Sequence, residues 1–258
     1  MTDKLWQTIR EETRAEAAKE PILASFLHAT ILKHDTLESA LSYHLASILD
    51  YPATPAILLR EVIDEALSHD ASIIAAVGAD IQAVFDRDSA CDCYSTPFLY
   101  FKGFLALQSY RIAHWLWQNG RRSLALFFQH RISVVFGVDI HPAARIGHGI
   151  MIDHATGLVI GETCVIGNNV SIMQSVTLGG TGKEHGDRHP KVGNGVLISA
   201  GAKVLGNIRI GDGAKIGAGS VVLQDVPAHT TAAGVPAKII GRPKCDQPAL
   251  DMHHEFND

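Results

Sequence analysis

Two segments of the sequence carry side chains that could move a proton or hold a small polar molecule. Asp139 and His154 lie 15 positions apart, and Arg188 and His189 are adjacent further along the chain. A carboxylate that orients an imidazole makes a general base able to take a proton from an alcohol near neutral pH. Exposed Asp and His are also common where a chain turns, so the spacing alone leaves a surface role open.

Other polar residues near these segments suggest a site for a zwitterion. Arg188 and His189 offer positive or hydrogen-bonding groups for a carboxylate, while Asp88, Asp92 and Asp153 are candidate partners for an ammonium group. His185 and His189 have the spacing of a metal-binding pair but lack a clear third ligand, so we expect no metal site.

A six-residue repeat positions these side chains. Single aliphatic residues recur every six positions, and a small or apolar residue follows four positions after many of them. In a strand, side chains alternate between faces, so short strands joined by tight corners keep these residues inside a prism. The repeat predicts a parallel β-helix, with a β-sandwich of chance periodicity as the alternative. The repeated aliphatic residues are Ile140, Ile146, Ile152, Ile160, Ile166, Ile172, Leu178, Val192, Ile198, Val204, Ile210, Ile216 and Val222.

The repeat is interrupted twice. Ile152 and Ile160 are eight positions apart, and Leu178 and Val192 are fourteen apart. The second interruption is rich in glycine and charge, which predicts a projecting loop at about 181–190. Interruptions of a solenoid often carry its function. Cys164 falls on an inward position, which predicts a core residue rather than a nucleophile.

Glycine marks a boundary between two architectures. Of 23 glycines, three precede residue 137 and the other 20 lie between Gly137 and Gly241. We predict an α-helical domain at 1–136, a β-helix at 137–242 and a tail at 243–258, giving an α + β fold. In the helical part, Asp35 and Glu38 resemble a capping box, and 98–118 has the pattern of one helix.

Composition excludes several classes of protein. The formal net charge of −5 argues against non-specific nucleic-acid binding. The charged N-terminal segment does not resemble a signal peptide, and no apolar run is long enough to span a membrane. Four scattered cysteines suit a reducing compartment, so we expect a cytoplasmic protein.

Four segments together resemble bacterial serine O-acetyltransferases across essentially the whole chain. They are DCYSTPFLYFKGFLALQSYRIAHWLW (92–117), DIHPAARIGHGIMIDHATG (139–157), SVTLGGTGKEHGDRHPKVGNGV (175–196) and TTAAGVPAKIIG (230–241). The resemblance implies a left-handed β-helix, trimers that pair into a hexamer, and acetyl transfer from acetyl-CoA to the serine hydroxyl in cysteine biosynthesis. It also implies inhibition by cysteine at the serine site.

The resemblance further implies roles for individual residues. His154 would be the general base and Asp139 its orienting carboxylate, in a direct transfer within a ternary complex. Asp88 and Asp153 would hold the serine amino group, and Arg188 and His189 its carboxylate. CoA would bind along a coil edge near Gly180, Thr181, Ala200, Gly201, Lys215 and Ala218. No metal cofactor is implied.

The family also binds O-acetylserine sulfhydrylase through a C-terminal tail that ends in isoleucine. This sequence ends in Asn257-Asp258 instead, which puts binding of that partner in doubt.

The residues leave three alternatives open. A hexapeptide-repeat acyltransferase could act on a sugar or another alcohol. A metalloenzyme trimer like the β-helical carbonic anhydrases would carry zinc. A regulatory or scaffolding subunit would use the prism only as a binding surface.

Overall fold

The computed structural model describes residues 2–182 and 185–254, and helices occupy its first half. Residues 183–184 of the predicted loop and 255–258 of the predicted tail lie outside the described residues. A 3₁₀ turn at Pro21–Leu23 and a π-helical turn at His28–Leu32 flank the second helix. The α-helices of this half are α1 Thr2–Lys19, α2 Ala24–Leu27, α3 Leu37–Ile48, α4 Ala56–His69, α5 Ala71–Arg87, α6 Ser95–Tyr100, α7 Lys102–Gln118 and α8 Arg122–Phe136.

Two local predictions for the helical half need correction. The N-cap of α3 is Thr36, whose side chain accepts a hydrogen bond from Ser39 N, so the predicted cap at Asp35 is one residue too early. The predicted helix 98–118 is interrupted because Phe101 is extended, at φ −82° and ψ 107°. Phe101 packs against the buried cluster that contains Met151 of the β-helix, so tertiary packing accompanies the break.

After α8, Gly137 adopts a left-handed conformation (φ +67°) and the chain enters a left-handed parallel β-helix of about five turns. This is the predicted fold. Its first face contains β1 Val138–Ile140, β4 Leu158–Ile160, β7 Thr177–Gly179, β10 Lys203–Leu205 and β13 Val221–Val222. Its second face contains β2 Arg145–Ile146, β5 Val165–Ile166, β8 Lys191–Val192 and β11 Arg209–Ile210. Its third face contains β3 Met151–Ile152, β6 Ser171–Ile172, β9 Leu197–Ile198, β12 Lys215–Ile216, β14 Thr231–Gly234 and the antiparallel β15 Ala237–Gly241.

The repeated aliphatic residues line the interior of this prism. Ile152, Ile172, Ile198 and Ile216 pair in register down the third face, and all four are buried. Cys164 is also buried, at 1% exposure, as its inward position predicted. The buried apolar cluster of the prism continues into α7 and α8, so the helices close the first end of the prism. A last helix, α9 Pro248–Asp251, lies on the third face, where Ser171 Oγ donates to Ala249 O (2.8 Å).

Candidate functional site

The first interruption of the repeat forms an enlarged corner between the third and first faces. We call the stack of turns from 153–157 through 173–175, 199–201 and 217–219 the His154 corner. In the lower coils one residue per turn is left-handed, such as Ser175 (φ +58°) and Gly201 (φ +73°). In the first coil two consecutive non-glycine residues, His154 (φ +55°) and Ala155 (φ +60°), adopt this conformation. Such backbone is costly for residues with a Cβ and is often found at functional sites.

The enlarged turn separates the two side chains. Ala155 is fully buried, whereas the His154 imidazole is 69% exposed, with its Nε2 3.6 Å from Asp153 Oδ2. The ring therefore stands outside the prism with one carboxylate beside it.

A cavity of about 700 Å³ opens in front of His154. Its floor is β3 and the His154 corner, and its opposite wall is the end of α5 with the α6–α7 junction. The cavity therefore lies between the helical half and the prism. It is lined by Asp88, Ala90, Tyr100, Phe101, Lys102, Gly103, Ile152, Asp153, His154 and Thr156.

Two carboxylates from different parts of the fold approach one another in this cavity. Asp88 is the C-cap residue of α5, and its Oδ1 accepts a hydrogen bond from Ala90 N (2.8 Å). Burial raises the pKa of the Asp153 carboxyl; the adjacent His154 opposes that rise and Asp88 adds to it. A pair of nearby carboxylates in a half-buried pocket favours a bound cation such as an ammonium group.

The second interruption forms another corner, between the first and second faces. We call residues 161–164, 180–182 and 185–190 the Arg188 corner. Arg188 Nη2 contacts Glu162 Oε2 (2.6 Å), and its backbone N–H donates to Thr163 Oγ1 (3.0 Å). This hydrogen-bonded guanidinium lowers the pKa of Glu162. Arg188 is thus held by the Glu162 carboxylate and the Thr163 hydroxyl of the preceding coil.

His189 is held in a single orientation in this corner. The Thr163 backbone N–H donates to its Nδ1 (3.2 Å), so Nδ1 is an acceptor and the neutral ring carries its proton on Nε2. Burial lowers the pKa of His189, and the adjacent Arg188 lowers it further. A Cβ added at Gly161 would lie 2.0 Å from the His189 ring, so only glycine leaves room for it. His189 therefore presents a neutral N–H donor.

Asp139 lies between these corners, on the first face. Its Oδ1 accepts a hydrogen bond from Gln129 Nε2 of α8 (2.7 Å), and its backbone is in register with Val159. In the described residues the carboxylate in contact with His154 is Asp153, not Asp139. The pairing of Asp139 with His154 stays a prediction.

The candidate CoA residues fall on both corners. Gly180 and Thr181 follow β7 at the Arg188 corner, while Ala200, Gly201 and Ala218 belong to the lower turns of the His154 corner. Lys215 lies on β12 and is only 4% exposed. Burial lowers the pKa of His254, and the positive charge of Lys215 lowers it further.

The C-terminal segment reaches the His154 corner from the third face. His254 Nδ1 is 3.1 Å from Ser199 Oγ, and the charge of Asp153 acts on the His254 ring. No sequence pattern indicates this contact, because the segment has no repeat that fixes its path.

The residues that hold Arg188 and His189 were not among those predicted from the sequence. Glu162 and Thr163 follow Gly161 at the same corner one coil earlier. The coil register could have brought them to Arg188, because equivalent corners stack. Lys102 was missed as well; its Nζ contacts Thr156 Oγ1 at the mouth of the cavity.

Two features are absent from residues 2–182 and 185–254. No three His, Cys, Asp or Glu side chains are grouped so that they could bind a metal ion. No helix in this part combines the length and apolarity needed to cross a membrane.

Family profiles match both halves of the chain. Residues 5–109 match the profile described as "Serine acetyltransferase, N-terminal", and residues 189–224 match "Bacterial transferase hexapeptide (six repeats)". The chain is 64% identical over 253 residues to the serine acetyltransferase of Escherichia coli strain K12, covering 98% of this chain and 93% of that protein.

Solved structures give the same result. The serine acetyltransferase of Vibrio cholerae O1 biovar El Tor matches with a TM-score of 0.99 and 62% identity, over 100% of both chains. A serine acetyltransferase in complex with cysteine matches at 0.98 and 61%, over 100% of both chains. One in complex with CoA matches at 0.90 and 62%, over 93% of this chain and 100% of that one. The acyltransferase predicted from the sequence motifs is thereby confirmed, and this chain belongs to the serine acetyltransferase family.

Proposed function

We propose that this protein transfers the acetyl group of acetyl-CoA to the hydroxyl of L-serine, giving O-acetyl-L-serine and CoA. The observation that carries the proposal is the exposed His154 imidazole in a cavity that also holds the Asp88 and Asp153 carboxylates. The base faces space of the size that a small substrate needs. The two carboxylates supply the charge that binds its ammonium group.

The groups that recognise the two ends of serine lie on different corners of one chain. Asp88 and Asp153 are at the His154 corner, and Arg188 and His189 are at the other end of the first face. Three copies whose first faces turn towards a common axis would bring the His154 corner of one copy against the Arg188 corner of the next. We therefore propose a trimer with shared sites, and pairing of two trimers into a hexamer. A closed cyclic assembly satisfies the same contact at every interface.

In this assembly each polar group has one task. The Asp88 and Asp153 carboxylates accept hydrogen bonds from the serine ammonium. The Arg188 guanidinium and the His189 Nε2–H donate to its carboxylate. Together they direct the serine hydroxyl to His154, and such fixed orientation is a major source of catalytic rate.

Transfer then needs no covalent enzyme intermediate. The neutral His154 takes the hydroxyl proton as the serine oxygen attacks the thioester carbonyl, forming a C–O bond and a tetrahedral oxyanion. The intermediate collapses by breaking the C–S bond, and the imidazolium returns the proton to the departing CoA sulfur. The exposed ring is free to turn, and Asp139, on the adjacent face, would fix its tautomer in the assembled site.

Acetyl-CoA would approach along the lower turns of the His154 corner. Ala200, Gly201 and Ala218 have small side chains or none, so a pantetheine arm can contact the backbone there. Gly180 and Thr181 of the adjacent copy would form the other side of this channel. Lys215 would contribute positive charge for the nucleotide phosphates once the C-terminal segment moves from the third face.

Cysteine should compete with serine at this site. It differs from serine by sulfur in place of the hydroxyl oxygen, and it presents the same ammonium and carboxylate. The Asp88 and Asp153 carboxylates and the Arg188 guanidinium would therefore hold it as they hold serine. We expect inhibition that is competitive with serine.

A thiol-release assay tests the proposal. The purified protein is given acetyl-CoA with L-serine, D-serine, threonine, a galactoside or chloramphenicol, with and without L-cysteine. We expect CoA release with L-serine above all others, and its suppression by cysteine. Faster release with a sugar or with chloramphenicol would instead identify an acyltransferase for another alcohol.

A further inference from the structure

We propose that the buried pair of Asp80 and Arg111 is a positioning device for the serine site. It would set the distance between Asp88 on the helical half and the Asp153–His154 turn on the prism. The inference rests on the proposed function, because it assigns a role in serine binding to residues that lie outside the cavity.

Asp80 joins three separate parts of the fold. Its carboxylate is 0% exposed and belongs to α5. One oxygen accepts the backbone N–H of Ile150 in the first coil (2.9 Å). The other accepts from Gln108 Nε2 (3.1 Å) and from Arg111 Nε and Nη2 (3.1 and 2.7 Å), both on α7. A buried charge is tolerated only when it is paired in this way.

Arg111 extends the same connection to a second point of the first coil. Its Nη2 donates to Gly147 O (2.8 Å) as well as to Asp80. The pair therefore holds the turn before β3 at both its start, Gly147, and its end, Ile150. This turn belongs to the same coil as the active-site corner, only one short strand away.

The chain leads from this pair to both walls of the cavity. Along α5, Asp88 comes eight residues after Asp80, about 12 Å at the α-helical rise. Along the first coil, Asp153 and His154 come three and four residues after Ile150, with only β3 between them. Both walls are thus tied to one buried carboxylate.

Each wall of the cavity carries a carboxylate, Asp88 on one and Asp153 on the other, and like charges repel. Burial raises the pKa of Asp153, and the charge of Asp88 adds to that rise. A second link, from Arg87 Nη1 to Ser171 Oγ, is a single contact of 3.2 Å. The four hydrogen bonds to Asp80 are stronger and better shielded from water, so they should determine the spacing of the carboxylates.

The test compares Arg111→Lys with a matched control, Arg131→Lys. Lysine keeps the charge beside Asp80 but cannot also donate the forked bonds that reach Gly147. Arg131 is equally buried, at 8% exposure, and donates to Leu49 O and Asp50 O, so its contacts stay within the helical half. If the lysine variant does not fold, the double variant Asp80→Asn with Arg111→Gln replaces it. This variant removes both charges of the pair together, so neither ion of the pair is left without its partner.

We measure kcat, the KM for serine and the KM for acetyl-CoA, with hydrogen exchange of the 150–154 peptide. The expected result for Arg111→Lys is a serine KM raised about tenfold and faster exchange at 150–154, with an unchanged acetyl-CoA KM. Arg131→Lys should leave all three quantities unchanged. Equal serine KM and equal exchange in the two variants would overturn the inference. If the unmodified protein does not acetylate serine, the proposed function fails, and the exchange data alone still show whether the pair fixes this turn.

Discussion

Replacing Gly161 with alanine should damage the site through a single added methyl group. The new Cβ would lie 2.0 Å from the nearest carbon of the His189 ring and 2.2 Å from its Nε2. Ordinary van der Waals contact begins near 3.4 Å, so the ring must retreat by about 1.4 Å. Gly161 is not among the glycines with a left-handed backbone, so the clash with the ring is the main effect of the change.

The size of the effect follows from the hydrogen bonds that this retreat disturbs. The His189 ring is held by Thr163 Oγ1 at 2.9 Å and by Thr163 N at 3.2 Å, and a shift of this size is enough to break both contacts. The ring then no longer aims its N–H at the serine carboxylate. A hydrogen bond to a charged group contributes about 1.5–3 kcal/mol, which corresponds to a serine KM raised about 10- to 140-fold.

Steady-state kinetics with serine and acetyl-CoA varied separately measure this effect. The KM for serine should rise while the KM for acetyl-CoA changes little. Gly241→Ala is the control, because nothing lies within 4 Å of a Cβ added there. A serine KM in Gly161→Ala equal to that of the control would show that His189 does not bind the carboxylate.

Three further predictions concern charge, assembly and packing. Because the pKa of Asp153 is raised, the serine KM should begin to rise on acidification at a pH above the usual pKa range of an aspartate. Asp88→Asn should move that rise to lower pH. A rise that begins only within the usual aspartate range would contradict this prediction. Co-expressed His154→Ala and His189→Ala chains should recover part of the activity that each lacks alone, since mixed trimers contain sites with both native residues; no recovery would argue against sites shared between copies. Gly103→Ala should lower both Tm and kcat, because the added Cβ would lie 2.0 Å from the backbone carbonyl oxygen of Ile152 in β3. An unchanged Tm would refute the close approach of α7 to β3.

The prism could be predicted because one rule governs every coil. An inward aliphatic residue every six positions has a single simple explanation, and residues such as Ile172 and Ile198 pair in the expected register. The interruptions were informative for the same reason, since a regular solenoid makes each departure visible. The extra residues before Leu158 mark the turn that exposes His154.

The sequence could not show how the candidate residues divide between two corners. His154 and Arg188 lie at opposite ends of the first face, and this depends on the direction in which the coils wind. The spacing of 15 residues between Asp139 and His154 suggested one coil turn, but the residue in register with Asp139 in the next coil is Val159. Asp139 accepts its hydrogen bond from Gln129 of α8, a residue that no repeat identifies.

Contacts between the helical half and the prism were also hidden. Helical periodicity identifies buried positions but not the element they meet. The Asp80 carboxylate lies on an otherwise apolar face of α5, and its partner Ile150 is 70 positions away. The break at Phe101 is similar, since the apolar pattern of 98–118 continues across it.

The most direct test is acetyl transfer to serine by His154→Ala. General-base catalysis contributes about 10²- to 10⁴-fold, so kcat should fall by that factor at neutral pH. The side chain is 69% exposed in the single chain, so Tm should change little. A kcat equal to that of the unmodified protein would show that His154 is not the base.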